Sequence, residues 1–166
     1  MPDTDVLEAL LDSWNRNNAI TVNLLRALPE GSLGLRAAEG SPTVAEMFTH
    51  MHYARVISVF EGAPEIEGGR PDNEWQDERD PARIAALLQD SARMVREAVR
   101  TRLESGRPMD VRYDHPILLF QHLIWHEGYH HAQIKLALKV AGRPFGDEEI
   151  GPVTWDVWMD KRVRDG

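Results

Sequence analysis

Residues 116–140 read PILLFQHLIWHEGYHHAQIKLALKV. With Leu119 as origin and ~100° per residue, Leu123, His126, His130, Gln133, Ile134 and Ala137 fall within about 60° of one line. This is the apolar stripe of a helix packed on one side, and two of its members are imidazoles. His122 lies at the edge of the stripe, Glu127 well off it, and His131 further round. Asp114 as N-cap and Pro116 in the first turn open the helix, while Gly142 and Pro144 after Val140 close it.

Three more stretches have the same character. The first runs from about Asp5 to Leu28, with Leu7, Leu10, Leu11, Trp14, Leu25 and Leu28 at helical spacing, and ends at Pro29 and Gly31. The second opens with Thr43-Val44-Ala45-Glu46, a capping box, and continues through Met47, Phe48, Met51 and Ile57 to about Phe60. Asp80 caps the third, Pro81 takes its first position, and it ends near Ser105-Gly106. A short helix is expected around Trp155 to Lys161. No stretch alternates as a strand would. The prediction is an all-α four-helix bundle, one domain spanning 1–166, with a short helical tail. Residues 61–80, EGAPEIEGGRPDNEWQDERD, are too long for a plain hairpin. They predict a crossover between helices 2 and 3, folded over one end of the bundle.

Composition narrows the function. A chain of 166 residues with 42% hydrophobic and 28% charged residues suits one soluble domain with its own core. A formal charge of −8 argues against nucleic-acid binding, which needs a basic surface. Arg93, Arg96, Arg100 and Arg102 on helix 3 are interleaved with Asp90, Glu97 and Glu104, which reads as a solvated, salt-bridged face. With no cysteine, disulfides, thiolate ligands and cysteine nucleophiles are excluded, so a metal would take nitrogen and oxygen donors. MPDTDVLEALLDSW has no basic start or continuous apolar run, and no segment has the ~20 apolar residues of a membrane span. No signal peptide, no membrane partner and a cytoplasmic location are the expectations.

Two imidazoles one turn apart on an apolar face can converge on one ion, because side chains at i and i+4 stack along the axis. Each can equally be a core histidine bonded to a neighbour. An unpaired buried polar group costs ~1–3 kcal/mol, and a shared metal satisfies both rings together. A third ligand must come from another helix. His50 flanks the apolar stripe of helix 2, whereas His52 projects about 200° from it and is expected to be exposed. Three nitrogens with an open position suit a metal that activates water or substrate. His126-Glu127-x-x-His130 has the zincin spacing, but Gln133 and Leu136 break the extended protease pattern, and the chain offers no sheet edge for a peptide. A protease is therefore disfavoured.

SWNRNNAITVNLLRALPE at 13–30, SPTVAEMFTHMHYAR at 41–55 and HEGYHHAQI at 126–134 together resemble the DinB-like family of metalloenzymes. The resemblance covers essentially the whole chain, with Ala132 standing where a glycine is common. It implies up-down-down-up connectivity, a homodimer and a divalent metal on His50, His126 and His130. Zinc or nickel is favoured, with iron or manganese as alternatives. It also implies a small-molecule substrate and, by analogy with some relatives, a low-molecular-weight thiol cosubstrate for hydrolase or S-transferase chemistry. A non-catalytic metal-binding homodimer and a metal-free dimerisation module are the alternatives. Glu127, Gln133 and Asn17-Asn18 are candidate supports for the ligands. Asn17-Asn18 also reads as a solvent-face pair, and Glu127 as a surface partner of His131. Arg55 and Tyr53 read as salt-bridging or packing residues before anion contacts, and Trp155 and Trp158 as a hydrophobic anchor for the tail.

Overall fold

A computed structural model describes residues 4–71 and 73–161. Its long helices are α1 (Thr4–Ala27), α2 (Val44–Gly62), α3 (Pro81–Ser105) and α4 (Pro116–Val140), followed by two short ones, α5 (Asp147–Ile150) and α6 (Asp156–Met159). A 3₁₀ turn over Ser32–Gly34 follows α1, and the described residues contain no strand beyond an isolated bridge between Arg36 and Thr43.

The helix ends follow their signals with two exceptions. Thr43 Oγ1 accepts from the Glu46 amide at 3.1 Å, and Glu46 Oε2 accepts from the Thr43 amide at 2.6 Å, which closes the capping box. Asp80 Oδ1 accepts from the Ala82 amide at 2.9 Å, and Gly106 ends α3 at a φ of 65°, where a side chain would be strained. For α4 the cap is His115, whose Nδ1 accepts from the Ile117 amide at 3.3 Å, and not Asp114. The reason is positional. Pro116 occupies the first helical position, so the residue before it must be the cap. Helix α2 also runs two residues beyond the expected Phe60, to Gly62.

Two apolar clusters fix the direction of every helix. One joins Leu7, Leu11 and Trp14 with Val59, Ala63, Val95 to Leu103, and Leu119 to Leu123. The other joins Val22 to Leu25 with Val44 to Met51, Ile84 to Leu88, and Ile134 to Leu138. The start of α1 therefore meets the ends of α2 and α3 and the start of α4, which is up-down-down-up. Trp14, fully buried, stacks on Phe120 at 5.4 Å and donates its indole N–H to the Ala92 carbonyl at 2.9 Å, so one side chain ties α1, α3 and α4. Because α2 and α3 are parallel, the chain must cross the bundle between them. Residues 63–80 do so.

Two surface expectations change. Arg102 is 1% exposed rather than solvated: Glu65 takes its Nε and Nη2 at 2.8 and 2.7 Å, and Asp110 takes Nη1 at 2.5 Å. Trp155 and Trp158 seat the tail only in part, staying 40% and 41% exposed, with Lys135 Nζ 5.2 Å over the Trp155 ring. Ile150, Gly151 and Thr154 are buried there, and α1 holds the tail through polar bonds. Arg16 donates to the carbonyls of Val157 and Asp160 at 2.5 and 2.9 Å, and Asn23 to that of Val153 at 2.9 Å.

Candidate metal centre

Helices α2 and α4 face each other across a short gap near mid-bundle, and three imidazoles meet there. His50 Nε2 lies 3.0 Å from His126 Nε2, which lies 3.1 Å from His130 Nε2. His50 and His126 are half-buried and His130 is buried. Among the described residues these three form the one group of histidine or carboxylate side chains arranged to hold a metal ion.

On their Nε2 sides the rings meet only one another. His130 Nδ1 faces Gln133 Oε1 at 2.8 Å, and Gln133 Nε2 donates to Tyr129 Oη at 3.1 Å. The amide thus keeps the His130 proton on Nδ1 and leaves a lone pair on Nε2. A neutral His126 carries a single proton, which on Nε2 can be given to the His130 lone pair, while its Nδ1 is buried without a partner in either tautomer. A cation in front of the three Nε2 atoms would take all three lone pairs at once. Burial, together with the neighbouring imidazoles, depresses His50 and His126 to about 4. His130 is lowered too, chiefly by burial, so near pH 7 all three rings are neutral and their nitrogens are free to ligate.

The glutamate between the two α4 histidines belongs to a different environment. Glu127 is fully buried, not a surface partner of His131. It lies about 80° from the Leu119 line at ~100° per residue, and a bundle helix enclosed by several neighbours buries a wider arc than one stripe. Arg55, also fully buried, donates Nε and Nη2 to its two oxygens at 2.6 and 2.8 Å. Asn17 Nδ2 donates to Oε2 at 2.7 Å, and Thr21 Oγ1 at 3.2 Å. His131 Nε2 lies 2.9 Å from the same hydroxyl, so Thr21 links it to the carboxylate. Arg55 Nη1 donates to Asn18 Oδ1 at 2.8 Å and the Leu88 carbonyl at 2.7 Å, and its guanidinium sits 4.9 Å over the Trp14 ring. Burial alone would raise the Glu127 carboxyl. The Arg55 charge and hydrogen bonds outweigh it, with His131 and Asn17 adding to them, and hold it below its usual range.

Asn17 is therefore buried and Asn18 half-buried, where a solvent-face pair was expected. Both look inward because Arg55 and Glu127 need more partners than each other. His52 is likewise half-buried, its Nδ1 2.9 Å from the Leu87 carbonyl, because α3 runs alongside that face of α2. Tyr53, beside it, is half-buried.

Three participants were not anticipated. Trp75 stacks on His50 with centroids 4.0 Å apart and planes 3° from parallel, and Glu74 Oε1 lies 3.1 Å from His50 Nδ1. Both come from the crossover. The signal available was a tryptophan inside a polar loop, Asn73-Glu74-Trp75-Gln76, which lacks an obvious place in the core. Thr21 gave no signal at all.

The sequence profile of the DinB family matches residues 1–147. The chain belongs to the DinB family. A crystal structure of a DinB-like protein from Bacillus cereus ATCC 10987 superposes with a TM-score of 0.65 at 20% identity, covering 84% of this chain and 96% of that one. At that identity the likeness shows a DinB-type fold. Among curated proteins, none matches the chain. Within this DinB chain, the HExxH spacing has split: its histidines join His50, and its glutamate joins Arg55.

Proposed function

We propose that this DinB protein is a metal-dependent enzyme whose His50, His126 and His130 hold a divalent ion, zinc or nickel before iron or manganese. The observation that carries the reading is the convergence of three Nε2 atoms, His126 lying 3.0 Å from His50 and 3.1 Å from His130. No fourth histidine or carboxylate joins them among the described residues, whereas a structural zinc site closes all four positions with protein ligands. Such an ion supplies Lewis acidity that lowers the pKa of a water or thiol at its remaining position. Gln133 sets the His130 tautomer, and the half-exposed His50 and His126 leave the site open to a small molecule from solvent. Trp125 and Tyr129, 69% and 53% exposed and stacked at 6.3 Å, flank that opening on α4. No helix among the described residues is long and apolar enough to cross a membrane.

The chemistry this supports is hydrolysis, or transfer to or from a low-molecular-weight thiol. The test is to strip and reload the protein with zinc or nickel. It is then assayed for hydrolysis of an activated ester and for thiol addition to an aromatic electrophile, with His126→Ala beside it. The expected result is turnover in one assay that appears on loading and falls to background in the variant. Equal rates in stripped, loaded and variant protein would contradict it.

A second copy of the chain is the partner we propose. Leu118, Trp125, Tyr129, Leu136 and Val140 are all exposed and recur along α4 at helical steps, a second apolar row about 90° round from the one that faces the core. Sedimentation would show a dimer, and Leu136→Glu with Val140→Glu would dissociate it. A parent that sediments as a monomer would remove the dimer.

A further inference from the structure

The crossover does more than join α2 to α3. It is pinned to α2 at the residue before His50. Thr49 Oγ1 donates to the Gln76 carbonyl at 2.9 Å, and the Gln76 amide returns a bond to Thr49 Oγ1 at 3.0 Å. At the N-cap of α2, Thr43 Oγ1 donates to Asp77 Oδ1 at 3.2 Å. Thr49 is 2% exposed, so this is a seated clasp rather than a surface brush. With Gln76 fixed there, the two residues before it must lie across His50. Trp75 covers one face of the ring at 4.0 Å and stands edge-on to His130 at 6.4 Å. Glu74 brings a carboxylate oxygen to 3.1 Å from Nδ1.

The chemistry of His50 makes this placement matter. If Nε2 gives its lone pair to a cation, the ring proton must sit on Nδ1. That atom is buried and has no aligned hydrogen-bond acceptor, although the Glu74 carboxylate is within ion-pair distance. A small rotation of a half-exposed side chain completes the bond. A carboxylate on the far nitrogen orients a ligating imidazole and raises its basicity. It also adds a negative charge beside the cation. Gln133 serves His130 in the same way without the charge, and His126 has no such partner.

We infer that the crossover residues Glu74 and Trp75 are part of the metal centre: Glu74 is the positioning carboxylate for His50, and Trp75 shields the ring face from water. This rests on the metal reading proposed above.

The experiment uses the full chain without a His tag. Zinc affinity is read by competition with a chromophoric chelator, zinc release by excess chelator, and thermal unfolding on the stripped protein. Glu74→Gln is expected to weaken zinc by about 10–100-fold, with stripped-protein unfolding unchanged. Trp75→Ala is expected to speed zinc release, and Trp75→Phe to restore most of the parent rate. Zinc affinity of Glu74→Gln and Glu74→Ala within twofold of the parent overturns the inference while leaving the metal site intact. A loss of affinity matched by an equal loss of stripped-protein stability overturns it too, since the role would then be structural. A parent that binds no zinc or nickel removes the proposed function and this inference together.

Discussion

Glu127 and His131 lie one step along α4 from His126 and His130, yet the two pairs end in opposite surroundings. The Glu127 carboxylate receives two bonds from Arg55 and one each from Asn17 and Thr21, and His131 is linked through Thr21. Every member of that layer is answered by protein. The His50–His126–His130 layer is answered mainly by itself, and the Nδ1 atoms of His50 and His126 lack aligned partners. The contrast teaches how to tell a structural polar layer from a receptive one on the same helix. A layer that closes on itself specifies the packing of α1, α2 and α4. A layer of converging lone pairs without donors specifies a ligand.

The contrast can be broken by substitution. Glu127→Ala leaves a buried guanidinium without its counter-charge, and should cost about 3–5 kcal/mol of stability in urea unfolding. The double variant Arg55→Met with Glu127→Leu removes both charges and should recover most of that loss. If Glu127→Ala costs less than 1 kcal/mol, the layer is not the closed structural unit described.

Acid should weaken both layers, and a substitution can read out the share of one. His131, pushed down to about 4 chiefly by burial, stays neutral in the folded protein while the unfolded chain protonates at its ordinary 6.5. The unfolded state then binds more protons between those values, so stability falls as pH drops from about 6.5 towards about 4. At ~1.4 kcal/mol per pKa unit, the His131 contribution to this loss is up to about 3 kcal/mol, and His131→Asn should make the profile shallower by that share, the shares of His50 and His126 remaining. A stripped protein with equal stability at pH 7 and pH 4.5 would remove this account of the layer.

The smallest effect is expected in the receptive layer. His126→Leu in metal-free protein should change stability by no more than about 1 kcal/mol, and in the stabilising direction if anything, because it deletes a buried nitrogen without a partner. A loss comparable with that of Glu127→Ala would make His126 a structural residue.

Periodicity and end signals in the chain carried most of the fold. The four long helices were legible because each has a stripe bounded by a cap, a proline or a glycine, and the parallel α2–α3 pair because residues 61–80 exceed any hairpin. The single stripe misled where a helix is enclosed on several sides. Glu127, Asn17 and His52 all lie off their helix's leading line, and all are covered by a second neighbour. A face angle measured against one line cannot register that neighbour. The candidate ligands were visible as residue types at compatible spacings on two helices. Their supports were uneven: Gln133 shares the His130 face, whereas Glu74 and Trp75 come from a loop whose path no period encodes. The Thr49–Gln76 clasp and the Thr43–Asp77 bond show where that loop lands.

The central claim is that the three imidazoles bind a divalent ion, and metal analysis of protein purified without a His tag tests it most directly. Parent, His50→Ala, His126→Ala, His130→Ala and His131→Asn would be measured side by side after equilibration with zinc and gel filtration. The account predicts close to one metal per chain in the parent and in His131→Asn, and a loss of most of it in each of the other three. Metal retained in His50→Ala, or lost as fully in His131→Asn as in His126→Ala, would contradict it.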